Sequence, residues 1–597
     1  MSKKRYSKPS PGKKKSGINA ILIRLFEKHP GVELTHQQIC SLVEARDPMS
    51  RQVVFEGLNA LASKNAIKRI NHFTYSLSDA SNLVEGVIQL TQRGAGFVVV
   101  EGKEKDVFIA PQNIGQALNG DKVKVRVFKS GPSRDEGAVV EIKERERVQF
   151  VGTIQFGDKT ALLIPDNNRS GLEIRVAKEH LNGARDGEKV LVKITVWPKS
   201  AEKPFGEVVA ILGMPGSNDT EMLSILYNQG INPIFPDAVL EEAERVPVEL
   251  DENEISTRRD FRSTLTFTID PFDARDFDDA ISYHELENGH YELGVHIADV
   301  SHYVRPGMAM DAEALLRSNS VYLVDRVIPM LPEQLSNIAC SLRPHEDKYT
   351  FSAVFEMDDK GKVYKEWYGK GVIHSDRRFT YEEAQEIIEG KDGDHEVVIR
   401  KLNSVAHILR KQRLKDGALS IESEEMRFRL NDVGNPSEVV IKTSKDAHKL
   451  IEEFMLLANR KVATFLSKPE KGRDLFPMIY RVHDSPDPGK MDVFSVFIEK
   501  FGHKIDLHDT QSIAKNLNAL FEEIREENEF SLVQSMAIRS MAKASYETEN
   551  IGHYGLAFKH YSHFTSPIRR YADLVVHRIL QEELTNKQHK YGGELKA

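Results

Sequence analysis

TIDPFDARDFDDA, Thr268 to Ala280, carries five aspartates in thirteen residues. Four of them, Asp270, Asp276, Asp278 and Asp279, stand where chemistry on a phosphate would need carboxylates. Carboxylates gathered in one pocket repel one another and cost stability unless a divalent cation neutralises them, and magnesium is the hard cation that oxygen ligands suit. Just ahead, Leu265-Thr-Phe-Thr-Ile269 has the period-two pattern of a strand, which Pro271 stops immediately after the first aspartate. Asp270 is therefore expected at a strand end, a common place for catalytic groups. Taken alone, the run has two readings, a metal-holding pocket and an acidic surface loop. An EF-hand calcium loop is disfavoured, because the sixth position is not Gly and the twelfth is not Glu.

A second segment, HYSHFTSPIRRYADLVVHR from His560 to Arg578, lies far along the chain. Its Ser-Pro step and the apolar spacing that follows predict a helix with Pro567 near its start and Arg569 and Arg570 in its first turns. There the positive end of the helix dipole would add to guanidinium charge and favour phosphate. By itself an arginine pair is equally readable as a solvated face or a carboxylate partner.

Together the two segments resemble the RNB family of exoribonucleases. The same resemblance covers YELGVHIADVSHYV (Tyr291 to Val304), SVYLVDRVIPMLP (Ser320 to Pro332), RVHDSP (Arg481 to Pro486) and HFTSPIRRYAD (His563 to Asp573), in order over roughly half the chain. It implies an α/β RNB catalytic domain over 256–597 that uses Mg2+ to hydrolyse RNA from the 3′ end toward the 5′ end. Nucleoside 5′-monophosphates and a short residual oligonucleotide would be the products. It implies that Asp278 is required and that Tyr322 stacks near the terminal nucleotide; a core tyrosine is the competing reading. Tyr381 is a weaker candidate contact, and Glu452 and Glu453 are supporting residues. Single-stranded 3′ ends, contacts with the ribosome or RNA-turnover machinery, and a monomer belong to the same expectation.

The rest of the chain predicts a multidomain α+β protein in the order of the ribonuclease R branch of that family. Residues 1–16 hold seven Lys or Arg and almost no apolar residue, so a disordered basic tail is expected; no apolar core follows at the length a secretory signal needs. Over 17–80, Ile18 to Phe26, Thr35 to Val43 and Arg51 to Lys64 read as helices and His72 to Leu77 as a strand, which resembles a winged helix-turn-helix. A plain helical adaptor fits equally. Residues 81–145 and 146–214 are short strands with Gly turns. The first resembles a cold-shock type oligonucleotide-binding barrel, with Phe97 and Phe108 as base-stacking candidates worth roughly 1–3 kcal/mol each. Filling of the barrel core is their alternative role. The second has the same rhythm with fewer aromatics and is expected to be another cold-shock type barrel that shapes the RNA path more than it grips bases, and 215–255 reads as a linker and helical lead-in.

Composition agrees with several domains in 597 residues. Only Cys40 and Cys340 occur, neither at metal spacing, so reduced thiols and a cytoplasmic location are expected and a zinc site is not. No apolar stretch is long enough to span a bilayer, so no membrane partner is expected. The formal net charge of −8 does not exclude a nucleic-acid partner, because binding follows the local field. His483 and His577 read as hydrogen-bonded structural residues rather than general bases. No nucleophile-elbow or triphosphate-binding motif is present, so RNA unwinding would draw on binding alone.

In the implied chemistry Asp270, Asp276 and Asp279 hold metal, Asp278 is a ligand or orients the water, and Arg569 stabilises charge on the phosphoryl oxygens. Arg570 is expected to matter less. Family members usually continue past this arginine segment with more helices and a terminal barrel, so a shortened catalytic domain is expected here. A non-catalytic RNA-binding protein with the same scaffold is the alternative reading. A DNA-binding regulator built on the winged helix is disfavoured by the aspartate cluster and paired barrels.

Overall fold

The computed structural model describes residues 18–585, apart from short stretches at 19–20, 24, 27–28, 30–31, 64–66, 78–82, 92, 104, 131–134, 159, 167–170, 199, 422–424, 432–435, 469–477 and 507–509. The expected basic tail lies outside the described residues. The chain divides into two compact units, Met1–Ile231 and Asn232–Ala597.

The first unit opens on a small α/β module. Strands β1 (Leu34–Thr35), β2 (Ile67–Arg69) and β3 (Thr74–Leu77) form an antiparallel sheet in the order β1-β3-β2. Two helices, His36–Leu42 and Pro48–Ser63, sit between β1 and β2 in sequence. Thr35 and Gln38 cap the first reciprocally. The second begins three residues ahead of the expected Arg51, because Asp47 Oδ1 accepts the Met49 and Ser50 N–H groups at 3.0 Å each and Pro48 needs no N–H partner. Leu22, Phe26, Ile39, Leu58 and Tyr75 make its core.

Two closed five-stranded barrels follow. The first contains β4 (Leu83–Leu90), β5 (Gly96–Val99), β6 (Val107–Ile109), β7 (Lys122–Ser130) and β8 (Asp135–Glu144). The second contains β9 (Gln149–Phe156), β10 (Ala161–Pro165), β11 (Ile174–Val176), β12 (Lys189–Val196) and β13 (Phe205–Gly213). Their strand order is the same, and so is a constraint: Gly86 and Gly152 occupy the fourth position of the opening strand in each. A Cβ there would lie 2.2 Å from the Val99 or Ile164 carbonyl oxygen, so only glycine lets the barrel close.

The second unit is built on a seven-stranded sheet in the order β14-β21-β20-β17-β16-β15-β22. These are β14 (Arg259–Asp260), β15 (Thr266–Asp270), β16 (Asp279–Glu285), β17 (Tyr291–Ala298), β20 (Asp347–Met357), β21 (Val363–His374) and β22 (Arg377–Thr380); the short pair β18 (Val321–Tyr322) and β19 (Val327–Ile328) lies outside it. β17 and β20 are buried along nearly their whole length, as strands covered on both faces must be. On one face Phe267, Ile281, Val295 and Phe351 pack with Phe454, Val462 and Val576 from the helices Asp446–Leu466 and Tyr571–Leu584. On the other, Ala280, Ala298 and Val354 pack with Phe277, Met310 and Leu331.

Candidate active site

The predicted strand ends where expected: Asp270 is the last residue of β15 and Asp279 the first of β16. β15 also runs parallel to β22, with Asp270 opposite Thr380, so the sheet brings Tyr381 beside the aspartates. Arg378 fastens the intervening loop, donating through Nη2 to the Pro271 and Phe272 carbonyls at 2.5 and 2.9 Å. This anchor was not legible as such, because it arises from strand pairing across more than a hundred residues.

Asp278 is buried, and its partners come from the distant HFTSPIRR segment. The Ile568 N–H donates to its Oδ1 at 2.9 Å, and Arg569 Nε lies 3.4 Å from its Oδ2. The Ala298 N–H donates to its carbonyl at 2.9 Å. The Tyr322 hydroxyl is near enough to Asp276 to oppose the rise of its carboxyl. The Ser320 N–H donates to the Arg569 carbonyl and the Tyr571 N–H to the Ser318 carbonyl, at 3.0 and 2.8 Å, so the segment bearing Tyr322 is laced to the arginines. Tyr322 is 54% exposed, which rules out the core-tyrosine reading.

The arginines are not in a helix. The helix starts at Tyr571, Arg570 is an extended residue at its N-terminal boundary, and Arg569 lies in the turn before it. Asp573 explains the displacement: its carboxylate accepts the Ser566 N–H at 2.7 Å and both Arg570 Nε and Nη2 at 2.9 and 2.8 Å, which folds the Ser-Pro segment into a turn ahead of the first helical turn. Arg570 is thereby committed to Asp573. Arg569, with its side chain 42% exposed, remains accessible.

Burial pushes all four carboxyls up. Asp270 and Asp279 rise to about 7 and Asp278 to about 8, with neighbouring aspartates adding to the rise and Arg378 or Arg569 opposing it. Asp276 rises as well, against Arg569 and the Tyr322 hydroxyl. Among the described residues no three His, Cys, Asp or Glu side chains already stand as a metal cage, so the expected ligand set is not preformed. The donor set nonetheless fits a hard divalent cation: it is all carboxylate oxygen, and Asp270 Oδ2 is buried without a hydrogen-bond partner among the described residues.

Tyr381 stacks on His448 with ring centres 4.0 Å apart and planes 8° from parallel, while feeling the charge of Asp279 and Asp270. Glu453 is buried against Arg413 at 2.5 Å, and Glu452 is more exposed at 3.6 Å from the same guanidinium. His483 accepts the Gly555 N–H and donates to the Ala542 carbonyl, both at 2.9 Å; buried His577 bonds the Phe564 carbonyl at 2.7 Å. Both histidines are structural. In the first unit, Phe97 and Phe108 face each other across β5 and β6 with ring centres 5.4 Å apart. They alternate with buried Val98, Val107 and Ile109, so they stand on the outside of the barrel and not in its core.

A carboxylate cluster at adjoining strand ends, faced by an accessible arginine and preceded by two oligonucleotide-binding type barrels, defines a nuclease-like class of protein. The sequence matches the RNB domain over residues 258–586, the cold shock domain over 163–236 and the ribonuclease B OB domain over 86–142. The chain belongs to the RNB family. It is 37% identical over 527 residues to ribonuclease R 1 of Lactococcus lactis, covering 84% of this chain and 63% of that protein. Ribonuclease R of Thermotoga maritima is 36% identical over 551 residues, with 90% and 76% covered. Mycoplasma genitalium RNase R in complex with double-stranded RNA has 25% identity and a TM-score of 0.70, covering 77% of this chain and 82% of that one. The yeast pseudonuclease Ssd1 shares the fold at a TM-score of 0.63 and 20% identity. Among the described residues no helix is long and apolar enough to cross a membrane.

Proposed function

We propose that the chain is a 3′ to 5′ hydrolytic exoribonuclease that degrades RNA, including structured RNA, to nucleoside 5′-monophosphates. The observation that carries this reading is the junction of Asp278 with Ile568 and Arg569, which brings two motifs 290 residues apart onto one carboxylate. A divalent cation such as magnesium, held by Asp270, Asp276 and Asp279, would supply charge neutralisation of the phosphate and an activated water. Asp278, fixed by the Ile568 N–H, would orient such a water. Arg569 stands ready to take the charge that develops on the phosphoryl oxygens, and its partial exposure leaves it free to do so. Tyr322, exposed and close to Asp276, stacks on the terminal base and couples its position to the carboxylates. Phe97 and Phe108 offer a paired aromatic face outside the first barrel for bases farther along the strand. The module before the barrels serves as a winged helix, and buried, unbridged Cys40 and Cys340 suit a cytoplasmic home.

A non-catalytic RNA-binding role is the second reading, favoured by the occurrence of this fold in a pseudonuclease. Against it, all four aspartates and Arg569 are present and mutually placed. The test is incubation with a 5′-labelled RNA bearing a single-stranded 3′ tail, with magnesium or chelator, beside Asp278→Asn. Shortening to a small limit product only with magnesium, lost in the variant, supports the enzyme; binding without shortening supports the second reading.

A further inference from the structure

We propose that Arg481 is a positioning residue for the RNA backbone, holding the phosphate next to the one that Arg569 handles; this rests on the exoribonuclease reading of the same site. Arg481 lies on the short strand Tyr480–Val482, which pairs with Ser545–Glu547 so that Arg481 is directly opposite Tyr546. Its guanidinium sits over the Tyr546 ring, 4.7 Å from the centre. The Tyr546 hydroxyl is hydrogen-bonded to His563 Nδ1 at 2.6 Å, and His563 opens the HFTSPIRR run that carries Arg569. The Arg481 N–H donates to the Tyr561 carbonyl at 3.0 Å, fastening the strand to the same run.

The charges around this pillar do not balance. Tyr546 and His563 both feel Arg481, Arg569 and Arg570. Arg570 is neutralised by Asp573, and Arg569 has Asp278 at 3.4 Å. Arg481 is half-buried and, among the described residues, has no carboxylate partner. A guanidinium held over an aromatic ring near two others, without a counter-charge of its own, is an arrangement completed by an anion. With Arg569 assigned to the scissile phosphate, the adjoining backbone phosphate is the anion that a bound strand brings to it. A purely structural arginine would be expected to have its charge met within the protein.

The test is equilibrium binding, in chelator to prevent turnover, of an RNA with a single-stranded 3′ tail to the full chain, across a range of salt. Arg481→Met should weaken binding about tenfold and reduce the slope of log affinity against log salt by about 0.7, the share of one phosphate contact on a single strand. Arg481→Lys, which keeps the charge and loses the guanidinium, should retain the slope. Replacing single linkages near the 3′ end by neutral methylphosphonates should abolish the difference between wild type and Arg481→Met at one linkage only. An unchanged slope, or an equal difference at every linkage, would overturn the proposal and leave Arg481 a structural residue. Magnesium-dependent shortening by the wild type is scored separately. A chain that shows the single-linkage pattern without shortening keeps Arg481 in its role and removes the enzyme reading.

Discussion

Replacing Asp299 by Asn should destabilise the catalytic unit more than any change at the active site itself. Asp299 is fully buried at the end of β17, immediately after Ala298, whose N–H donates to the Asp278 carbonyl. Its Oδ2 accepts Arg258 Nη1 at 2.8 Å, and its Oδ1 accepts Lys370 Nζ at 2.5 Å and Ser301 Oγ at 2.8 Å. Burial alone would push this carboxyl up, but Lys370 and Arg258 hold it far below its ordinary range. Burial draws Lys370 down at the same time, so the attraction only partly offsets the cost of removing the pair from water. Asn at this position keeps the shape and removes the single charge that two cations share. Arg258 retains Glu254 at 2.7 Å, so the main loss falls on Lys370. Breaking a buried pair in this way costs about 3–5 kcal/mol, and the Glu254 contact places the expectation near the lower end. The depressed carboxyl makes its contribution above the unfolded value of 3.8 and loses it as pH falls below that point, so the deficit of the variant should shrink in acid. The assay is denaturant unfolding of the catalytic-unit transition at neutral pH, for Asp299→Asn and for Asp299→Asn combined with Lys370→Met. The double variant should recover part of the loss, because it leaves no unpaired buried ammonium. A single-variant loss under about 1 kcal/mol, or a double variant worse than the single, would refute the reasoning.

Arg569→Ala should slow single-turnover cleavage by at least about a hundredfold while changing RNA affinity far less, as rapid-quench and binding measurements would show; equal losses in both would point to simple binding. In chelator the raised carboxyls of Asp270, Asp278 and Asp279 destabilise the fold as pH climbs toward their folded values of about 7 to 8. Between the unfolded carboxylate and histidine values the opposite trend from His296, His577 and His553, depressed to about 3, 3 and 4, offsets this, so the fall should emerge above about pH 6.5. Thermal midpoints at pH 6.5 and 8.5 should therefore diverge in chelator and converge with magnesium; identical midpoints in chelator would count against a strained carboxylate cluster. Phe97→Ala and Phe108→Ala should each cost about 1–3 kcal/mol of RNA affinity with little change in melting, since both rings stand outside the barrel core. A large drop in melting with unchanged affinity would assign them to stability instead.

Local features of the sequence carried further than pairing did. The Leu265–Ile269 alternation and Pro271 placed Asp270 at a strand end because period and chain-breaking are properties of neighbouring residues. Over 81–145 and 146–214 short strands and Gly turns were local too, but it was the resemblance to cold-shock domains that pointed to barrels, and the structure has two. The start of the arginine helix was missed: Pro567 favours a first turn, but the side chain of Asp573 reaches back to Ser566 and Arg570 and holds that turn apart. Arg481 opens the RVHDSP motif and Arg378 lies just ahead of Tyr381, but nothing local tells what either side chain meets, which comes from the β15–β22 register and from pairing of Arg481 with Tyr546. Tyr381 could be named from its motif, yet its stacking on His448 depends on the distant helix Asp446–Leu466.

The energetic logic of the catalytic unit follows from where its charges are matched and where they are not. Four carboxyls raised by burial, three of them also by neighbouring aspartates, are a liability in the folded chain, one that a cation and a phosphate would relieve on the proposed reading. Close by, charges of the same kind are satisfied: Arg578 bonds Asp311 at 2.6 Å and the Val304 carbonyl at 2.9 Å, and Arg258 and Lys370 converge on Asp299. These matched groups fix the helix Tyr571–Leu584 and the end of β17, the two elements that deliver the Ile568–Arg569 turn and the Ala298 N–H to Asp278. Satisfied polar networks thus hold the backbone while the unsatisfied side chains wait for substrate. A carboxylate cluster on an unsupported loop could relieve its repulsion by moving apart, whereas here such movement must break contacts in both β17 and the arginine segment. Stability and activity are accordingly separable by position: changes at Asp299 or Asp311 should act first on folding, and changes at Asp278 or Arg569 first on turnover.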